Sequence, residues 1–209
     1  MTEVYNPLDK VNLGKSVADA LLASPVQPLA DIQSFEGAGI YVLYYRGSHP
    51  SYAPLAQANA DEATWPIYIG KAIPSGGRKG VSLSASARGT ALYKRLADHR
   101  DSIKEVETGS RSLSVADFDI RYLIVDDIWI PLGESLLIAR FRPVWNIALD
   151  GFGNHDPGKG RYGGLRPLWD HFHQGRPWAT RCAERSETAE EVQKRISEFL
   201  TAHPLGHDI

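Results

Sequence analysis

The chain has 209 residues, a formal net charge of −2, 43% apolar and 23% charged residues, and one cysteine. The single Cys182 excludes an internal disulfide framework and a cysteine-rich zinc site, and the near-neutral charge counts against sequence-blind nucleic-acid binding. The fractions are ordinary for a soluble globular protein. No apolar run approaches membrane-span length and no basic-then-apolar signal opens the chain, so the expectation is a cytoplasmic protein that makes no use of a membrane.

Residues 1–15 read as an irregular arm. A short helix follows over 16–23, with Ser16 as N-cap, and Pro25 and Pro28 end it. Residues 38–45 contain Gly39-Ile40-Tyr41-Val42-Leu43-Tyr44-Tyr45, a run rich in β-branched and aromatic residues that predicts a strand. The stretch from Arg46 to Thr64 is too long for a tight hairpin. It reads as an insertion, either a surface loop or a subunit or DNA contact. Trp65-Pro66-Ile67-Tyr68-Ile69-Gly70 predicts the second strand. Alternation along both strands lets Tyr41 and Tyr68 share one face if the strands pair.

From Ala72 to Ser86 the chain is dominated by small residues, with Arg78 and Lys79 inside. Glycines there allow backbone N–H groups to approach a phosphate. A helix is predicted from about 90 to 106, with Leu92, Leu96 and Ile103 as its core stripe and Arg95 and His99 on one neighbouring face. Residues 117–125 alternate as a third strand. Pro131 opens a helix that carries Glu134, buries Leu136, Leu137, Ile138 and Phe141, and closes at Pro143. Residues 150–167 are too polar and glycine-rich for a core element. The pair Thr188 and Glu191 forms a capping box for a last helix with Val192, Ile196, Phe199 and Leu200 on one face. No internal repeat or coiled-coil heptad is present.

Charge is unevenly distributed. Residues 71–111 hold nine basic against four acidic side chains, and residues 158–185 hold six against two. The acidic excess falls in the first 62 residues and the last helix. A local basic face on a near-neutral chain suits a site-specific DNA binder, and solvated surface is the alternative.

The tripeptides Gly39-Ile40-Tyr41 and Tyr68-Ile69-Gly70, followed in order by Arg95, Glu134 and Asn146, resemble the signature of the GIY-YIG nuclease superfamily. The resemblance runs from about residue 39 to 146. It implies an α+β fold with a small nuclease core: a mixed, mainly antiparallel three-stranded sheet flanked by helices, with insertions and terminal extensions. The chain is then one domain over 1–209, with its core at about 37–147. Residues 1–36 form an arm and helix, 46–64 an insertion, and 148–209 a C-terminal extension.

The resemblance also implies roles. Glu134 would hold the metal, Mg²⁺ or Mn²⁺, one ion per active site, since a hard ion accepts one carboxylate and completes its shell with phosphate and water. Arg95 would clamp the phosphate with its fork. Tyr41 is the first candidate for the general base. A free phenol titrates near ~10, so the metal, Lys71 or other cations must lower it. His99 is the rival base, or the group that takes Tyr41's proton. Tyr68 would position water or phosphate. Asn146 would bond a phosphate oxygen or orient a catalytic side chain.

The Arg95–His99 pair, Glu134, Asn146 and the run from Asp150 to Arg161 resemble more narrowly the GIY-YIG restriction endonucleases that cut the palindrome CCGCGG. That likeness implies a type II restriction endonuclease acting on double-stranded DNA, a homodimer matching the two-fold axis of its site, and a cognate DNA methyltransferase. With no appended helix-turn-helix, zinc finger or helix-hairpin-helix pattern, specificity falls to insertions in the nuclease domain. The candidate DNA contacts are Arg78, Lys79, Arg88, Lys159, Arg161 and Arg166, with Arg176 in the wider pool for reading guanine. Lys159 and Arg161 come first, and contact to phosphate alone is the alternative. The rival functions are a structure-specific repair or recombination nuclease and a DNA-binding module with an inactive site.

Overall fold

The computed structural model describes residues 6, 9–73, 89–158, 160 and 162–205. Its centre is a sheet of four strands, β1 (Gln27–Pro28), β2 (Gly39–Tyr45), β3 (Pro66–Ala72) and β4 (Phe118–Ile124), in the order β1-β4-β2-β3. Every strand pairing is antiparallel. The three strands expected from sequence are present. The fourth, β1, has only two residues, paired Gln27↔Ile120 and Pro28↔Asp119. Proline is tolerated there because β1 lies at the sheet edge.

All seven residues of β2 are buried. A strand covered on both faces is a continuous apolar run, as Gly39–Tyr45 is. On one face Tyr41, Leu43 and Tyr45 pack with Leu92, Leu96 and Ile103 of α3 (Ala91–Thr108) and with Trp145, Phe152 and Trp169. On the other face Ile40, Val42, Tyr44 and Ile69 pack with Ala18 and Leu21 of α1 (Lys10–Leu22) and with Ile130 and Leu137 of α4 (Ile130–Phe141). Gly133 permits the close approach of α4: a Cβ there would stand 2.7 Å from the Val17 side chain and 3.0 Å from Cδ1 of Ile40. The residue that follows it is Glu134.

Three expectations are corrected. First, α1 begins at Lys10, with Asp9 accepting the Val11 N–H at 2.8 Å. The earlier carboxylate cap takes the helix start, so Ser16 is internal and the arm is shorter than 1–15.

Second, residues 46–64 do not form an irregular loop. They contain a 3₁₀ turn (Pro50–Tyr52) and α2 (Ala53–Ala58). Tyr52 and Asn59 are fully buried. Asn59 Nδ2 donates to the carbonyls of Tyr45 (3.2 Å) and Trp65 (3.0 Å), and Oδ1 accepts the N–H groups of Thr64 (3.0 Å) and Trp65 (2.8 Å). One amide thus ties the end of β2 to the start of β3, satisfying backbone groups that β pairing leaves free.

Third, the glycine-rich run after residue 150 does contribute to the core, because Phe152 is 1% exposed. It is followed by the short α6 (Leu168–Phe172), as α4 is followed by α5 (Val144–Ile147). The capping box holds as expected. Thr188 N–H donates to Glu191 Oε2 at 2.8 Å and Glu191 N–H to Thr188 Oγ1 at 3.2 Å, opening α7 (Ala189–Ala202). Among the described residues no helix is long and apolar enough to cross a membrane.

Candidate active site

The register of β2 and β3 builds the site. Tyr41 pairs with Gly70 and Leu43 with Tyr68. With alternating side chains, Tyr41 and Tyr68 are then diagonal neighbours on one face, and their ring centroids are 6.2 Å apart. Gly70 is needed opposite Tyr41, since a Cβ there would collide with the phenol's Cζ and hydroxyl. Gly39 is needed against β4, where a Cβ would run into the Leu123 carbonyl. Tyr41 is sealed from solvent, and Tyr68 keeps 9% exposure at the rim.

Helix α3 lies over this face and brings two side chains from successive turns. His99, 2% exposed, places Nε2 2.6 Å from the Tyr41 hydroxyl. Its ring stacks on Phe152 at 4.4 Å and 16°. Arg95, one turn earlier, donates from Nη2 to the Gly153 carbonyl at 2.6 Å and from Nη1 to Nε2 of His155. Tyr41, Tyr68, Arg95 and His99 are therefore brought together, as expected.

Lys71 is next to Gly70 on β3 and so points to the other face of the sheet. There its Nζ meets Oε2 of Glu134 at 2.5 Å. Glu134 sits close enough for its charge to raise the pKa of both tyrosines. Among the described residues no group of three or more His, Cys, Asp or Glu forms a metal cluster, so Glu134 stands as a lone carboxylate rather than as part of a cage.

Asn146, on α5, is bonded to the backbone of β3. Its Oδ1 accepts the Ile69 N–H at 2.9 Å and its Nδ2 donates to the Ile69 carbonyl at 2.8 Å. Ile69 lies on the edge strand between Tyr68 and Gly70, and its backbone faces away from β2. Asn146 supplies the missing ladder partner and so fixes the strand that carries Tyr68.

Burial sets the electrostatics. It pushes the Tyr41 phenol well above its ordinary value, Tyr68 adds to this, and the Arg95 cation opposes it. Tyr68 is raised by the same burial and opposed by the same cation. Burial, reinforced by Arg95, Arg176 and His155, holds the His99 imidazole well below its usual pKa. His99 is accordingly neutral at pH 7, with one ring nitrogen available as an acceptor.

Of the expected DNA contacts, Arg78, Lys79, Arg88, Lys159 and Arg161 lie outside the described residues. Arg166 is half-buried, and its Nε donates to the Ala179 carbonyl at 3.0 Å. Arg176 is removed from the pool of base readers. It is 2% exposed and ion-paired with Asp170, and it donates to the carbonyls of Gly151 (2.9 Å), Phe152 (3.1 Å) and Asn154 (2.9 Å). Its guanidinium lies 4.7 Å from the Trp169 ring and 4.8 Å from the Trp178 ring. A buried cation needs such a full set of acceptors, and this set leaves nothing for a base.

Sequence reasoning did not assign Phe152, Gly153, His155 or Arg176 to the site's framework. The available signal was Asp170 six residues before Arg176, with a tryptophan next to Asp170 and another close after Arg176. The acceptors of Arg95 and Arg176 are mostly backbone carbonyls, and no residue type marks those.

Two diagonal tyrosines on a central hairpin, an arginine on the covering helix and a glutamate beside the second strand make up the arrangement of a GIY-YIG nuclease. The family model described as the Eco29kI GIY-YIG domain matches residues 33–200, most of the chain, and the protein belongs to that family. It is accordingly a nuclease of the GIY-YIG restriction-endonuclease group. No curated protein matches the chain.

Proposed function

We propose that the protein is a type II restriction endonuclease that hydrolyses phosphodiesters of double-stranded DNA with one Mg²⁺ or Mn²⁺ ion per active site. The observation that carries this reading is the convergence of Tyr41, Tyr68, Arg95 and His99 on one sheet face, with Glu134 held by Lys71 at the adjoining strand position. A lone carboxylate fits a hard divalent ion that keeps waters and takes phosphate oxygens for the rest of its shell. When bound, such an ion supplies charge stabilisation at the phosphate and the leaving oxygen. Glu134 is the residue that would hold it.

The remaining chemistry falls to the chain's own side chains. Arg95 keeps donors beyond the two it spends on Gly153 and His155, and these bind the non-bridging oxygens as negative charge grows on them. Tyr68, at the rim, orients the attacking water or the phosphate. Tyr41 takes a proton from that water while its own proton passes to Nε2 of His99, 2.6 Å away. The tautomer required has its hydrogen on Nδ1. In this relay Tyr41 is never left as a bare phenolate, the form that burial disfavours. Asn146 keeps Tyr68 in place through the Ile69 backbone.

The resemblance to enzymes that cut CCGCGG supports a GC-rich palindrome, a homodimer that presents two sites to it, and a paired DNA methyltransferase. Guanine recognition then falls to the pool Arg78, Lys79, Arg88, Lys159, Arg161 and Arg166. The test is digestion of long linear DNA with Mg²⁺, beside an EDTA control, followed by sequencing of the ends. Discrete fragments that end within one palindrome support the reading, and ends within CCGCGG support its narrow form. Absence of metal-dependent cleavage by a folded sample overturns it.

A further inference from the structure

We infer that His155 is a positioning residue for Arg95, holding one arm of its guanidinium so that the remaining donors face the two tyrosines and the phosphate. The inference rests on the nuclease reading of the site. Arginine presents its donors in a rigid planar fork, so fixing two of them fixes the direction of the others. Arg95 spends Nη2 on the Gly153 carbonyl and Nη1 on Nε2 of His155. Both acceptors come from one three-residue stretch, which therefore acts as a template for the fork.

The template is itself anchored. Arg176 donates to the carbonyls of Gly151, Phe152 and Asn154 while paired with buried Asp170. The stretch also runs as close to the site as a backbone can. A Cβ on Gly153 would stand 2.5 Å from the Tyr68 hydroxyl and 3.2 Å from Nη2 of Arg95.

To accept from Arg95, His155 must be neutral with its proton on Nδ1. Asp98, on the same helix as Arg95, places Oδ2 4.0 Å from that nitrogen and favours this tautomer. Partial desolvation on the side facing the site, and then the Arg95 charge, lower the pKa of His155 and favour its neutral form, against the opposing pull of Asp98. The side chain is 63% exposed. It contributes little to the core, so its truncation tests position rather than folding.

The experiment measures cleavage of linear DNA by the full chain with Mg²⁺, together with DNA affinity and thermal stability. His155→Ala should lower kcat on the order of 10- to 100-fold, as expected for a misplaced catalytic group, with KM and melting temperature unchanged. His155→Gln, whose side-chain oxygen can replace Nε2, should recover most of the rate. In an Arg95→Ala background His155→Ala should cost nothing further, because its effect passes through Arg95. A wild-type rate for His155→Ala, or an equal loss in both backgrounds, overturns the inference while leaving the nuclease reading intact. A wild-type protein that does not cleave overturns both.

Discussion

The Tyr41 hydroxyl and Nε2 of His99 stand 2.6 Å apart, fully enclosed, although 58 residues separate them in the chain. Burial raises the phenol and lowers the imidazole, so both are neutral in the free protein. A neutral donor beside a neutral acceptor is a stable resting arrangement, and it already lies along the path a proton would take. Phe152 stacks on the His99 ring and Gly70 makes room for the Tyr41 ring, so the alignment does not depend on a bound ligand.

Tyr41→Phe removes that hydroxyl and little else. The rate of DNA cleavage should fall by on the order of 10²- to 10⁴-fold, the usual contribution of a positioned acid or base, while DNA affinity stays close to that of the wild type. Single-turnover cleavage and binding, measured side by side, check this. An unaffected rate would transfer the base role to His99.

Asn146→Ala should act through the strand. Two hydrogen bonds to Ile69 disappear, and leaving buried backbone groups unpaired costs about 1–3 kcal/mol. Urea unfolding should report that loss, and cleavage should fall with it as Tyr68 shifts. Asn146→Asp keeps the acceptor but sets a carboxylate against the Ile69 carbonyl, so it should also destabilise. If both variants retain wild-type stability, the Ile69 clasp is not what Asn146 contributes.

Stability should decline on mild acidification. His99 and His173 are buried with pKa values well below the ordinary one, chiefly through burial. Below about 6.5, the unfolded-state value for histidine, the unfolded chain takes up protons that the folded chain refuses. Stability is therefore full above that pH and falls as pH drops through it, by up to about 1.4 kcal/mol per pH unit for each group. Melting temperatures between pH 7.5 and 5.5 test this. His173 accepts or donates at Tyr52 (2.7 Å) and Ser112 (3.0 Å), well away from Tyr41 in the sequence, so His173→Gln should flatten the acid slope.

Legibility in the sequence followed how local each feature is. The strands carrying Tyr41 and Tyr68 announce themselves through β-branched and aromatic runs, and α7 through the Thr188–Glu191 box. The shared face of the two tyrosines follows from alternation once pairing is assumed. The structured insertion at 50–59 was hidden because its stability comes from Asn59 and Tyr52 reaching partners elsewhere in the fold. The extra helical turns of α1 were hidden because Ser16 offers a competing cap. Arg176 looked like a DNA contact because its acceptors are carbonyls of a loop that sequence reads as surface. Within the site, side chains were legible and their backbone supports at Ile69 and Gly153 were not.

The most direct test of the account is cleavage by Glu134→Ala beside the wild type, with Mg²⁺ and a matched measurement of DNA binding. The lone carboxylate is assigned to the metal and Lys71 to holding it, at 2.5 Å. The account predicts that the variant stays folded, binds DNA and loses cleavage by at least about 10³-fold, the scale of losing a principal electrostatic stabiliser. Turnover at the wild-type rate would contradict it and remove Glu134 from the centre of the site.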